Sequence, residues 1–282
     1  MHRSTLYLLA ILTCVFLFTA AARAQSNAPS EVLVQAPVRR VQAPPPDASP
    51  QQLSDRGDEL RAEKLYLDAR DYYQAALQKN QTALNRNELA LTKTEASLYN
   101  RLGICELLLQ RWKDARKNFE RALKADRLFA DAYNNLGVVE YEQRKYRGAI
   151  KRYQQAIKLR GDAASYYSNL GAAYFSRKDY VKAVMAYSQA LQLDPDVFER
   201  TSRAGVSAQI PSPQDRARYD YVMAKLYAQS GNSDRSLEHL RRAMEEGYKD
   251  IDNVYKDKEF TALRKDPRFE QLMASRPTAI AN

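Results

Sequence analysis

Three stretches carry the same text. They read ASLYNRLGICELLLQRWKDARKNFERALKAD from Ala96, ADAYNNLGVVEYEQRKYRGAIKRYQQAIKLR from Ala130, and ASYYSNLGAAYFSRKDYVKAVMAYSQALQLDP from Ala164. The starts lie 34 residues apart. Leu-Gly recurs as Leu102-Gly103, Leu136-Gly137 and Leu170-Gly171. After each comes Ala (Ala115, Ala149, Ala183), then an aromatic (Phe119, Tyr153, Tyr187), then Ala again (Ala122, Ala156, Ala190). A fixed period of this length marks a chain built from one supersecondary unit, which buries its apolar face only against its neighbours. Within a unit, two helical runs flank a short turn such as Arg177-Lys178-Asp179, and the Gly and small Ala let the two helices approach closely.

These residues resemble the tetratricopeptide repeat, W-x2-L-G-x2-Y followed by A-x3-F-x2-A and Pro. Tyr99, Tyr133 and Tyr167 stand at the Trp position, and Asp194-Pro195 closes the third segment as the family does. The resemblance implies an all-α fold, an α-solenoid of about five helix-turn-helix units at 51–83, 96–129, 130–163, 164–197 and 217–247. Gly57, Ala69, Tyr73 and Ala76 hold the offsets in the first unit. Ala224, Tyr227, Gly231, Leu240 and Ala243 hold them in the last, where Ser236 replaces the usual Ala. Extra residues interrupt the period near Asn80–Leu91 and around Phe198–Arg216. The second insertion reads as a functional loop, with Phe198, Val206 and Ile210 folding over the groove mouth. Residues 248–275 resemble the short tail that follows such arrays, with Phe260, Leu263, Phe269 and Leu272 available to close the last unit; 276–282 is a tail.

Outside the repeats the chain changes character. His2 and Arg3 precede an apolar run from Leu6 to Ala22, and Ala22-Arg23-Ala24 is an A-x-A signal, so residues 1–24 read as a secretory leader cut before Gln25. The bland alternative is an uncleaved anchor at the short limit for spanning a membrane. Residues 25–50 hold Pro29, Pro37, Pro44, Pro45, Pro46 and Pro50 and read as an extended, disordered tether. The expected location is periplasmic or extracellular.

Chemistry is scarce. Two Cys and two His leave a mature chain with Cys105 and His239 only, enough for neither an intramolecular disulfide nor a Cys/His metal cluster. No metalloprotease, nucleophile-elbow or phosphate-loop motif occurs. No catalytic residue, metal or cofactor is expected. Cys105, within GICELLLQ, reads as a buried thiol. His239, among Glu238, Arg241 and Arg242, reads as a surface residue. Glu106 and Glu140 occupy a position where the family has Tyr, as Tyr174 and Tyr227 do. They read as tied to basic neighbours or reaching solvent; a paired-carboxylate site is the sharper alternative.

Two surfaces are candidates for partners. The resemblance implies that the first helices line a concave groove, which here maps to Asn100, Ile104, Leu107, Asn134, Asn135, Val138, Tyr141, Asn169 and Phe175. Apolar groups on an open face with amides beside them would seat an extended or helical segment of a partner protein. The family's Lys-and-Asn carboxylate clamp is absent. The other surface follows from the net charge of +10. Arg144 to Arg160 carries many cations and no acid, and Lys145, Arg147, Lys151, Arg152 and Lys158 form a basic face on a second helix. An anionic lipid or polymer of the cell envelope is its alternative partner; a solvated face is the bland reading. Nucleic acid is not expected for an exported chain. The identity of the protein or peptide partner is not written in the sequence.

Overall fold

The computed structural model describes residues 41–82, 88–198 and 213–277. The leader, residues 25–40 of the tether and most of the second insertion lie outside them. The described residues are all-helical: α1 (Pro50–Ala62), α2 (Tyr66–Thr82), α3 (Glu88–Leu108), α4 (Trp112–Ala125), α5 (Ala130–Glu142), α6 (Tyr146–Leu159), α7 (Ala164–Ser176), α8 (Tyr180–Leu193), α9 (Pro213–Gln229), α10 (Ser233–Glu245) and α11 (Pro267–Ala274). Each odd–even pair from α1 to α10 is one helical hairpin, and successive hairpins stack into an α-solenoid.

One contact repeats in every regular hairpin. The ring of Tyr73, Phe119, Tyr153 or Tyr187 lies directly on Gly57, Gly103, Gly137 or Gly171 of the preceding helix. A Cβ added at these glycines would come within 2.5, 2.4, 2.5 and 2.4 Å of the ring, well inside contact distance. The rings are fully buried, with Ala69, Ala115, Ala149 and Ala183 beside them.

The turns repeat as well. Each first helix closes with a backbone N–H reaching five residues back: Leu65 to Leu60, Arg111 to Glu106, Lys145 to Glu140, Asp179 to Tyr174 and Asn232 to Tyr227, at 2.8–3.0 Å. This closure puts one residue in the left-handed region. Only the last unit uses glycine there, Gly231; the others use Lys64, Gln110, Arg144 and Lys178, at φ 58–64°.

The first insertion lengthens helices. α2 has 17 residues and α3 has 21, against 13 or 14 for α4 to α8. Residues 41–49, expected as part of the free tether, are instead laid along α2. The Val41 N–H donates to Asp68 (3.2 Å), the Tyr72 hydroxyl to the Gln42 carbonyl (3.4 Å), and Lys79 to the Pro46 and Ala48 carbonyls (2.6 and 2.5 Å). Proline removes donors but leaves carbonyls free, and a lysine from α2 takes them up. Ser49 then starts α1 with a capping box completed by Gln52.

At the other end three short 3-10 turns and α11 cover the last hairpin. Phe260, Leu263, Phe269 and Leu272 are buried there in one cluster with Leu240, Ala243 and Met244.

Replacing Gly171 with Leu is expected to force the α7–α8 pair apart and to cost about 2 kcal/mol or more. Thermal denaturation of the purified chain checks this; an unchanged midpoint refutes the contact.

Candidate functional site

The nine groove residues are buried, each at most 6% exposed. The expectation of apolar side chains standing open along the first helices is therefore corrected. Tyr141 spans to the next unit, its hydroxyl paired with Ser176 Oγ at 2.8 Å and its ring 5.2 Å from Tyr146. Burial pushes the Tyr141 hydroxyl up to about 12. Ile104, Leu107 and Val138 belong to the same apolar cluster, and Phe175 packs edge-on against Tyr180 and Tyr219.

The four amides bond to one another. Asn135 Nδ2 donates to Asn100 Oδ1 (2.9 Å), Asn134 Nδ2 to Asn135 Oδ1 (3.2 Å), and Asn169 Nδ2 to Asn134 Oδ1 (2.9 Å). This ladder crosses α3, α5 and α7. Buried amides have to be satisfied, and here they satisfy each other rather than waiting for a partner's backbone.

Glu106 and Glu140 are also interface groups. Glu106 lies 3.8 Å from Arg70 of the preceding unit and 3.5 Å from Arg111. Glu140 lies 3.5 Å from Arg116 of the preceding unit and 3.5 Å from Arg152. Burial pushes the Glu106 carboxyl up against the opposing pull of Arg70 and Arg111. Gly148 leaves room for Glu140, whose Oε2 would sit 2.0 Å from a Cβ at that position.

Cys105 is fully buried, and burial pushes its thiol up to about 12, the opposite of what an activated thiolate needs. His239 is not a surface residue. It is buried, with Nδ1 2.6 Å from Asp220 Oδ1 and its ring stacked on Tyr227. Its neighbours in sequence are charged, but Ser236, Leu240 and Ala243 share its helix face, and all are buried.

The basic set divides. Lys145, Arg147, Lys151 and Lys158 are exposed, whereas Arg152 is half-buried against Glu140. Among the described residues, no group of three or more His, Cys, Asp or Glu side chains is placed to hold a metal, and no helix is long and apolar enough to cross a membrane.

An accessible cleft lies elsewhere, between α8 and the last unit. It has a volume of about 520 Å³. One wall is Tyr180, Val181, Val184 and Met185 of α8. Val181 and Met185, one helical turn apart, are 74% and 67% exposed, among the most exposed large apolar side chains of the described residues. The facing wall is Arg218, Tyr221, Val222 and Lys225 of α9. The floor comes from the tail. The Tyr221 hydroxyl donates to Asp257 Oδ2 (2.8 Å), Lys225 lies 3.0 Å from Asp257 and 3.3 Å from Glu259, and the Tyr221 ring stacks on Tyr248. Burial pushes the Asp257 carboxyl up, but the hydrogen bonds from Tyr221 and Lys225 outweigh it and hold the carboxyl below its ordinary value. Arg218 stacks over Tyr180, its guanidinium 4.7 Å from the ring centroid.

Sequence reasoning passed over this cleft. Counted from Ala217, residues Arg218, Tyr221, Val222, Lys225 and Gln229 occupy positions 2, 5, 6, 9 and 13, the groove positions of the last unit. The repeat register marks that wall, but the α8 wall comes from the preceding unit and is invisible to a one-unit alignment.

Residues 94–162 and 164–197 match family models described as tetratricopeptide repeat. No curated protein matches the chain. Similar folds occur among solved structures. TTC0263, a thermophilic TPR protein in Thermus thermophilus, is 20% identical, with 77% of this chain and 100% of that chain covered at a TM-score of 0.47. MamA from Desulfovibrio magneticus RS-1, residues 41 to the end, is 16% identical, covering 70% and 93% at 0.45. YrrB, described as a TPR protein with an unusual peptide-binding site, is 18% identical, covering 72% and 89% at 0.42. The described residues thus form an all-helical solenoid, within which 94–162 and 164–197 match the tetratricopeptide repeat.

Because Tyr141 and Phe175 fill space inside the stack, truncating either to Ala is expected to cost about 3 kcal/mol of stability. A urea titration of each variant reads this directly. A fully stable Tyr141→Ala protein returns that ring to the open face.

Proposed function

We propose that this tetratricopeptide-repeat chain is an exported protein–protein interaction scaffold that seats a segment of a partner protein. The observation that carries the reading is the cleft between α8 and α9, where an exposed Val181–Met185 pair faces the groove positions of the last unit. Apolar side chains exposed together at a concave mouth mark an interaction site. The polar wall is already organised: Asp257 and Glu259 fix Lys225, and Tyr180 fixes Arg218. A bound segment then meets a preformed surface, which limits the ordering cost of association. The seat fits a short amphipathic segment, with apolar anchors toward Val181, Val184 and Met185 and polar groups toward Arg218 and Asp250.

Peptide-display selection on the purified chain tests the reading. Selected ligands should share one or two bulky apolar anchors. Val181→Asp with Met185→Asp should weaken them by about 2 kcal/mol or more, roughly thirtyfold, while leaving the melting temperature nearly unchanged because both side chains are exposed. Ligands indifferent to the pair, or none selected, refute the cleft as the seat.

Export is supported by the positive start, the apolar run and the A-x-A signal of the leader. N-terminal sequencing of chain recovered outside the cytoplasmic membrane is expected to begin at Gln25. A chain starting at Met1 refutes cleavage.

A further inference from the structure

A second concavity lies on the edge of the solenoid where the hairpin turns line up. It has a volume of about 280 Å³ and is lined by Arg144, Lys145, Tyr146, Arg147, Gly148 and Arg177. Four of these six residues are cationic and none is acidic. Three of the cations come from the α5–α6 turn and the first turn of α6. Arg177 comes from the α7–α8 turn of the next unit, so stacking, not sequence proximity, assembles the cluster.

No carboxylate forms an ion pair with the four cations among the described residues, although Glu142 stands two residues before Arg144 and the Arg177 charge acts on Asp179. Glu140 turns inward to Arg116 and Arg152. Asp179 caps α8 through the Lys182 N–H and pairs with the Lys182 ammonium at 3.1 Å. Among the described residues, Arg144, Arg147 and Arg177 have no ion-pair partner, and Lys145 donates only to the neutral Gln143 Oε1 at 3.0 Å. Four like charges gathered in one dish repel one another unless an anion is present. The exposed cations Lys151 and Lys158 continue the positive surface along α6 but lie outside the dish.

We propose that this dish binds a phosphate-type oxyanion. A single carboxylate would offset one of the four charges. A phosphate group offers several oxygens and up to two negative charges, and guanidinium forks match its geometry in pairs. The dish is shallow and polar with one aromatic, Tyr146, so it takes a headgroup or a free phosphate rather than an apolar ligand. The chemistry is the same for both sources, and the probes below separate them. The dish shares no lining residue with the α8–α9 cleft and does not depend on it.

Arg144 supplies an internal control. It sits at φ 58°, where a glycine is the unstrained residue. Arg144→Gly should therefore raise the melting temperature while weakening oxyanion binding, a combination that a purely structural role does not produce.

The test uses the full mature chain with two probes: inorganic phosphate by titration calorimetry, and vesicles of phosphatidylglycerol in phosphatidylcholine by co-sedimentation, against phosphatidylcholine alone. Arg144→Gln with Arg177→Gln should reduce binding about tenfold or more, since it removes two charge-assisted contacts. Lys151→Gln with Lys158→Gln removes the same formal charge outside the dish and should change it by less than about threefold. Binding of phosphate in solution identifies a free ligand; binding of anionic vesicles alone identifies a headgroup; either supports the site. Three results overturn it. Neither probe binds; both double variants lose binding equally, which makes the surface a diffuse positive field; or poly-glutamate competes better than phosphate, which assigns the dish to an acidic protein.

Discussion

The closeness of the first four helix pairs depends on an aromatic ring lying on a glycine. Gly57, Gly103, Gly137 and Gly171 have no side chain to hold the second helix away, and the ring sixteen residues later occupies the space so gained. It is the ring that the contact needs. Phe119 serves without a hydroxyl, while the hydroxyls of Tyr153 and Tyr187 are buried with no hydrogen-bond partner among the described residues. Tyr73 is different, because its hydroxyl donates to Asp58 at 2.7 Å. A buried unpaired hydroxyl costs on the order of 1–3 kcal/mol. That two units carry one shows how much the ring contributes through apolar burial and close packing.

Between units the forces are of another kind. Successive hairpins present similar apolar surfaces, and apolar surfaces alone do not decide which hairpin stacks on which. The polar groups do. Glu106 meets Arg70, Glu140 meets Arg116, and at the same places in the next interface Ile150 and Tyr174 share an apolar cluster. A mispaired stack would bury Glu140 against an aliphatic residue, and an unpaired buried carboxylate is strongly disfavoured. The asparagine ladder through Asn100, Asn135, Asn134 and Asn169 adds the same discrimination along the first helices. The residues that looked most like chemistry in the sequence thus fix the order of the units.

The repeat was legible because its cause is local: a glycine, an alanine and a ring at constant offsets are the contact itself. Cys105 and the two glutamates were legible for a related reason, since an apolar surrounding or a nearby cation was visible along the chain. What failed depended on residues distant in sequence. The groove residues were assigned to a face by their position within one unit, and the packing of one first helix on the next put that face inside. Residues 41–49 looked free because their partners, Asp68, Tyr72 and Lys79, lie about thirty residues away. His239 is the one avoidable error. Charged neighbours suggested solvent, but Ser236, Leu240 and Ala243 already marked its helix face as the inner one, and Asp220 supplied its partner.

The accessible surfaces follow from the same rule. A regular stack uses its apolar faces on its neighbours, and the exposed Val181–Met185 pair stands on the last regular unit, beside a break in the period. The chain departs from its period twice. The first departure is absorbed in the longer α2 and α3 and leaves a closed interface. The second precedes α9, and there the contact between α8 and the last unit is sparser and a cleft stands between them. The tail deepens that cleft, because Asp257 and Glu259 must lie close to α9 to hold Lys225 and Tyr221. The turns behave differently: they point outward in every unit, so stacking brings their charges into register without covering them. An array of this kind therefore presents two sorts of accessible surface, a partly apolar cleft beside a break in the repeat and a charged dish where the repeat is kept.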